Sequence, residues 1–392
     1  MAYHYHVLPL RYLIIAVDPR SRTSPTALLN RWRNMGVVIE EWNDMDFLRP
    51  DIARNPVPDD AELQIKRDRH RIRQRNFYQK CLQRCHHQQR TWVTLIDTDE
   101  FLTYNHKGGD AFEHWEKQQT KKLKDSYYAG KVRIRPSQTP PTTAEAGAMI
   151  PYIRQEAAAG HSFFQRSCIS CPRLQFGAKE STPAERQHQV PSTVDADRLD
   201  TLRFRKHAER QDFVKNGLSK SILDVSRIHE FPRIQSLHRP IKTICSAPWK
   251  DDWDSGLRIN HYLGSWEAYS FRDDSRRGGE RSLEGWAFKA QDAEETDDNI
   301  RPWIGGFVEM HGTDKASHLL QGAGLPRGSD GETGGSSSSS SSSSPNGKNW
   351  TIMFLGEILS VNQTKGNDSR VAFDNFVRDF HFRKNQSTAE LL

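Results

Sequence analysis

The chain has 392 residues and a formal net charge of +6, with 56 basic and 50 acidic side chains, so it is long enough for one large α/β domain or two smaller ones. Hydrophobic residues make up only 35% of it, and part of the chain is therefore expected to be disordered. The charge excess is small beside the total, which suits an anionic ligand such as a nucleotide diphosphate and argues against nucleic acid as the partner.

The start of the sequence predicts a strand–helix–strand unit. An uninterrupted apolar run at 12–17 predicts a buried parallel strand. Helical spacing over 26–35, with Gly36 as the stop, predicts the helix that follows. A second apolar run at 37–39 completes the unit.

A long helix is predicted over 60–90, where apolar side chains recur every three to four residues. Its polar face is strongly basic, through Lys66, Arg67, Arg69, Arg71, Arg73 and Arg75. Three interpretations of that face are open: a solvated surface, a helix end that faces phosphate, or a nucleic-acid contact. A further apolar run at 92–96 predicts the next buried strand.

Two carboxylates, Asp97 and Asp99, follow this strand directly. At the carboxyl end of a strand they lie where open α/β sheets bind ligands. Two such acids suit a divalent ion such as Mn²⁺ or Mg²⁺, which can bridge a diphosphate and neutralise the charge that develops as it departs. Two alternatives are open: acids that cap a turn, and a haloacid-dehalogenase-like phosphatase with Asp97 as the nucleophile. Against the phosphatase, Phe101 stands where that class expects Thr or Val.

Four of the five cysteines lie in two close pairs, Cys81 with Cys85 and Cys168 with Cys171. Thiolates at such spacings can close a tetrahedral zinc site. Disulfides and buried free thiols are also consistent with the pattern, so all three interpretations are open.

The composition changes after residue 320. A Gly/Ser-rich stretch at 321–348, with nine consecutive serines, predicts a disordered linker because it cannot bury a core. The segment 349–392 is polar apart from one apolar element at 352–361, and it is predicted to be a small C-terminal tail. Residues 1–320 are predicted to form a single α/β domain.

Four glycosylation triplets in the tail bear on the compartment, at Asn349, Asn362, Asn367 and Asn385. They indicate the Golgi or another secretory-pathway lumen. No apolar run reaches the roughly 18 residues that a transmembrane helix needs, and the first residues lack the features of a signal peptide. A membrane anchor is therefore expected only in a segment absent from this chain.

The motif Asp97-Thr98-Asp99-Glu100-Phe101 after Trp92 resembles the Asp-x-Asp-Glu-Phe of glycosyltransferase family 92 and its family-2-like relatives. Tyr3-His4-Tyr5-His6 and Asn260-His261-Tyr262 resemble further segments of that family in the same order, and the resemblance covers about residues 3–290. It implies a GT-A-like fold, a mixed sheet flanked by helices, with the family's first strand missing ahead of Met1.

The resemblance implies a metal-dependent glycosyltransferase that uses Mn²⁺ (or Mg²⁺) and moves a sugar from a nucleotide-sugar donor to a glycan or protein acceptor. The residues expected at the site are Asp97, Asp99 and His261 at the metal, Asp18, Arg75 and Lys220 at the donor, and Glu180 or Asp273 as the general base. The alternative within this fold is a non-catalytic relative that binds a nucleotide or a glycan.

Overall fold

The computed structural model describes residues 1–19, 24–106, 140–159, 166–177, 179–188, 190–208, 216, 218–245, 256–271, 281–289, 293–320 and 353–359. Within these residues the fold is mixed α/β, with helices packed against two mixed sheets. The predicted linker at 321–348, Asp273 and the four glycosylation triplets lie outside the described residues.

The strands of this described part are β1 Tyr12–Ala16, β2 Val38–Trp42, β3 Trp92–Asp97, β4 Glu100–Tyr104, β5 Cys168–Cys171, β6 Arg173–Phe176, β7 Lys206–Ala208, β8 Lys220–Asp224, β9 Leu257–Tyr262, β10 Ala293–Thr296 and β11 Met353–Leu359. Its α-helices are α1 Ala2–Val7, α2 Thr26–Arg33, α3 Asp44–Phe47, α4 Pro50–Ala53, α5 Leu63–His87, α6 Met149–Ala158, α7 Pro183–Gln187, α8 Asp200–Arg203, α9 Trp266–Phe271, α10 Leu283–Phe288, α11 Trp303–His311 and α12 Thr313–Leu320. None of these helices combines the length and the apolar character needed to cross a membrane.

The predicted strand–helix–strand unit is confirmed. β1 and β2 pair in parallel, and α2 connects them. Leu29 and Trp32 of α2 are buried against the sheet. Gly36 has a φ of 79°, a conformation that glycine adopts without steric cost, and it turns the chain from the helix into β2.

The larger sheet has six strands in the order β2-β1-β11-β3-β8-β5. β11 pairs antiparallel with β1 on one side and with β3 on the other. Residues 353–359 of the C-terminal segment are thus an internal strand of this sheet. In sequence they lie more than 30 residues after the preceding described element, which ends at Leu320.

Helices cover both faces of the larger sheet. Leu13 and Ile15 of β1 pack with the helices α1, α2 and α11. Tyr12 and Ile14 alternate with them and pack against α5 on the opposite face. The long helix predicted over 60–90 is therefore confirmed as α5, and its buried side is lined by Phe77, Tyr78, Cys81, Leu82 and Cys85.

The smaller sheet has five strands in the order β10-β7-β6-β9-β4. β6 and β9 are parallel, and β4 is antiparallel to β9. Since β3 belongs to the larger sheet and β4 to the smaller one, Thr98 and Asp99 form the turn that carries the chain between them. The acidic motif therefore lies at the junction of the two sheets.

The structure distinguishes between the zinc, disulfide and free-thiol interpretations of the cysteines. A disulfide joins Cys168 of β5 to Cys245. Cys81, Cys85 and Cys171 are buried free thiols. The zinc interpretation is wrong, because the Sγ of Cys168 is already bonded to another sulfur.

Candidate active site at the junction of the two sheets

The turn between the sheets is closed by the motif itself. The backbone N–H of Asp97 donates a hydrogen bond of 2.8 Å to the Glu100 carboxylate. Asp97 is the last residue of β3 and Glu100 the first of β4, so both side chains are anchored by their sheets. Asp99, between them, projects from the turn with its side chain 15% exposed.

Glu100 is the most deeply buried charge at the junction. It forms ion pairs with the Lys220 ammonium at 2.9 Å and with the Arg173 guanidinium at 3.2 Å. Burial by itself would raise the pKa of Glu100, but the charges of Lys220 and Arg173 outweigh it and lower that pKa below its ordinary value. The Glu100 carboxylate therefore anchors two cations inside the protein.

Lys220 bridges this anion to the first motif aspartate. Its Nζ lies 3.0 Å from Asp97 Oδ2, and its side chain is only 2% exposed. Burial would lower the pKa of Lys220, but the carboxylates of Asp97 and Glu100 raise it well above its usual range. The lysine predicted to meet the diphosphate thus stays charged and is held by carboxylates on either side.

Asp99 and His261 are brought together from distant parts of the chain. In the β4–β9 ladder His261 stands directly opposite Glu100, and the Tyr262 N–H donates to the Asp99 carbonyl at 2.9 Å. This pairing places His261 Nε2 3.6 Å from Asp99 Oδ2. The other ring nitrogen, Nδ1, is buried and has no hydrogen-bond partner in the part of the chain that the structure describes.

The Asp99 and His261 side chains are candidate ligands for a divalent ion. Asp99 offers a carboxylate oxygen and His261 an imidazole nitrogen at neighbouring positions. Asp97 lies beside them with one oxygen on Lys220. Among the described residues, no three His, Cys, Asp or Glu side chains converge as a ready-made metal cluster. The arrangement fits a two-residue site whose other ligands come from a bound diphosphate and water, as in sites that bind an ion together with its substrate.

The two other donor-side candidates lie along β1 and α5. Asp18, just beyond β1, forms an ion pair of 2.6 Å with Arg73, which also contacts Asp44 at 2.8 Å. Arg75 is half-buried on α5, one turn before Tyr78, and makes no ion pair with a described residue. The basic face of α5 is therefore partly engaged in pairing the acid at the end of β1.

Glu180 is an exposed residue that follows β6. It forms ion pairs with Arg186 at 3.1 Å and with Arg203 at 2.5 Å. Because β6 and β9 run in parallel, Glu180 and His261 lie toward the same edge of the smaller sheet. Glu180 thus follows a strand that ends at the same edge as β9, with its carboxylate held by two arginines.

Three residues of the junction escaped the sequence prediction as functional groups: Glu100, Arg173 and Tyr78. Glu100 had a signal, since it belongs to the acidic motif. Tyr78 and Arg173 had none, because their positions depend on tertiary packing. The Tyr78 hydroxyl is buried and has no hydrogen-bond partner among the described residues. Burial strongly raises the pKa of Tyr78, and the charge of Lys220 opposes that shift.

Comparisons with known proteins add nothing to this geometry. No family model, no curated protein and no solved structure matches the chain.

Proposed function

We propose that this chain is a metal-dependent glycosyltransferase with a GT-A-type fold, which transfers a sugar from a nucleotide-sugar donor to a hydroxyl of a glycan or protein. The observation that carries the proposal is the Asp99–His261 pair, 3.6 Å apart at the turn between the two sheets. A carboxylate oxygen with an imidazole nitrogen suits Mn²⁺ better than Mg²⁺, which prefers ligands that are all oxygen.

The chemistry asked of the site is the departure of a nucleotide diphosphate. A divalent ion bound by Asp99 and His261 would supply Lewis-acid stabilisation of that leaving group. The bond between the anomeric carbon and the diphosphate oxygen breaks with its electron pair on that oxygen. The acceptor oxygen bonds to the anomeric carbon, and its proton leaves to a carboxylate base, for which Glu180 and Asp273 are the candidates.

The remaining residues divide between donor binding and charge balance. We assign Asp18 to the nucleoside and the half-buried Arg75 to the diphosphate. Lys220 is tied to Asp97 and Glu100, so it can bring its charge to the donor only by releasing Asp97. We therefore assign Lys220 to an exchange of partners, in which its ammonium leaves Asp97 and contacts the diphosphate when the donor binds.

The same proposal places the protein in the Golgi or another oxidising lumen. The disulfide between Cys168 and Cys245 supports it, because disulfides persist in secretory compartments and are rare in the cytosol. The glycosylation triplets of the C-terminal segment agree with that compartment.

A second candidate is a non-catalytic nucleotide or glycan binder. The observation that favours it is the Lys220–Asp97 ion pair, which occupies one oxygen of the motif's first carboxylate. Such a protein would bind a nucleotide with Mn²⁺ and would not turn a donor over.

The test is a screen of nucleotide sugars for hydrolysis and transfer, with Mn²⁺ and with a chelator. Asp99→Asn and His261→Gln are expected to lower turnover by about 100-fold or more, the range seen when one charge-stabilising group is lost. Asp51→Asn is the matched control, because Asp51 is an exposed acid whose ion pair among the described residues is with the exposed Arg49. Binding of Mn²⁺ by electron paramagnetic resonance should weaken in the first two variants and not in the control.

Turnover that survives chelation would contradict the proposal. Nucleotide binding that needs Mn²⁺ without any turnover would select the non-catalytic alternative. Trapping of a phosphate on Asp97 would select the phosphatase instead.

A further inference from the structure

The edge of the smaller sheet that carries Asp99 continues beyond the metal candidates. β6 and β9 are parallel neighbours and end together, with Phe176 opposite Tyr262. β4 begins at the same edge because it is antiparallel to β9. With strands about 4.8 Å apart, the segments that leave β6 and β9 start within about 10 Å of Asp99.

The segment that leaves β9 carries a pair of tryptophans. Trp266 opens α9 and Trp286 lies on α10, with ring centroids 6.2 Å apart. Trp286 is fixed by a hydrogen bond from its indole N–H to the Gly264 carbonyl at 3.1 Å. Both rings pack on the buried Leu263 and Tyr269, yet both remain only half-buried. Part of each tryptophan therefore stays accessible at the surface.

A carboxylate accompanies this aromatic pair. Glu267 directly follows Trp266 and is exposed. A hydrogen bond with its own backbone and one with Ser265 lower the pKa of Glu267, and the charge of Arg203 lowers it further. Arg203 also forms an ion pair with Glu180, so one guanidinium binds the glutamate after β6 and acts through its charge on the glutamate after β9.

We propose that Trp266 and Glu267 form the acceptor-binding subsite for a saccharide, with the sugar ring against the Trp266 face and a sugar hydroxyl donating to the Glu267 carboxylate. This inference rests on the proposed function for its biological meaning, since it names the substrate class of the acceptor. A pyranose ring offers an apolar C–H face and a rim of hydroxyls. A half-buried aromatic ring next to an ionised carboxylate matches both at once.

The arrangement also separates the two substrates in space. Asp99 and His261 meet at the β4–β9 pair, whereas Glu180 and Glu267 come after the ends of β6 and β9, past the Phe176–Tyr262 pair. A donor at the first position and a saccharide at the second would meet between them, over the ends of the same strands.

The experiment measures saccharide binding to the full chain without donor or Mn²⁺. The probes are methyl β-D-galactopyranoside, methyl β-D-glucopyranoside and methyl α-D-mannopyranoside, followed by saturation-transfer NMR. Trp266→Ala is expected to weaken binding of the responding glycoside about tenfold, the factor that corresponds to loss of one aromatic contact. Trp266→Phe should restore most of it, and Glu267→Gln should weaken it without loss of thermal stability.

Phe288→Ala is the matched control, because Phe288 is an exposed aromatic side chain of α10, 63% exposed, outside the pair. Equal loss in Phe288→Ala would mean unspecific adsorption and would overturn the proposal, as would the absence of any binding by wild type. Asp99→Asn should bind the glycoside normally. Saccharide binding without any donor turnover would therefore refute the transferase and leave this subsite standing.

Discussion

Replacement of Lys220 by methionine is the sharpest test of the charge network at the junction. Methionine keeps an unbranched apolar side chain of similar length and removes the ammonium. In the wild-type protein that ammonium lies 2.9 Å from Glu100 and 3.0 Å from Asp97. The variant leaves Glu100 inside the protein, still paired with Arg173.

The loss of unfolding free energy in Lys220→Met depends on which of the two carboxylates water can reach. The Glu100 side chain has no exposure and that of Lys220 only 2%, so water cannot replace the lost contact. Asp97 is 37% exposed and can be solvated, so its share is small. Loss of one partner of a buried ion pair costs about 3–5 kcal/mol. Because Arg173 stays on Glu100, we expect about 3 kcal/mol, the lower end of that range.

The assay is equilibrium unfolding in urea, in a double-mutant cycle with Glu100→Gln. The double variant should lose less stability than the two single losses added together, by about 1–3 kcal/mol, because each single change leaves a partner unmatched. Arg49→Met is the control. Its pair with Asp51 is 77% and 57% exposed, so its removal should change stability by less than about 1 kcal/mol.

Two results would refute this reasoning. One is a Lys220→Met variant as stable as the Arg49→Met control. The other is strict additivity in the cycle, which would mean that Lys220 and Glu100 do not interact in the folded protein.

Two further predictions concern the frame around the site. A Cβ added at Gly306 of α11 would lie 1.8 Å from the Ala144 carbonyl oxygen and 2.9 Å from the His6 ring, whereas at Gly305 it meets nothing within 4 Å. Gly306→Ala should therefore lower the melting temperature by several degrees, while Gly305→Ala should hold or raise stability by up to about 1 kcal/mol; equal melting curves would contradict the packing. Truncation after Lys348 removes β11, which pairs with both β1 and β3, so the shortened chain should lose cooperative thermal unfolding. A truncated protein that melts like the full chain would show that β11 is dispensable.

Local pattern was enough to predict several elements of the fold. β1, α2, β2, α5 and β3 are confirmed near their predicted positions, because apolar spacing and the glycine stop act within a few residues of chain. The acidic motif at the end of β3 also follows from the sequence, and Asp99 does lie beside His261.

What only the tertiary structure decided is which distant groups meet. No local pattern shows that Lys220 lies on Asp97, 123 residues away. Strand order puts 353–359 between β1 and β3, and the parallel ends of β6 and β9 bring Glu180 and the segment of Glu267 to one edge. Strands pair through backbone hydrogen bonds, which form with almost any side chains. The sequence of one strand therefore does not show which remote strand will lie beside it, or in which register. The sequence therefore determines the elements and the acid pair, whereas the charge balance around that pair arises only when the two sheets are assembled.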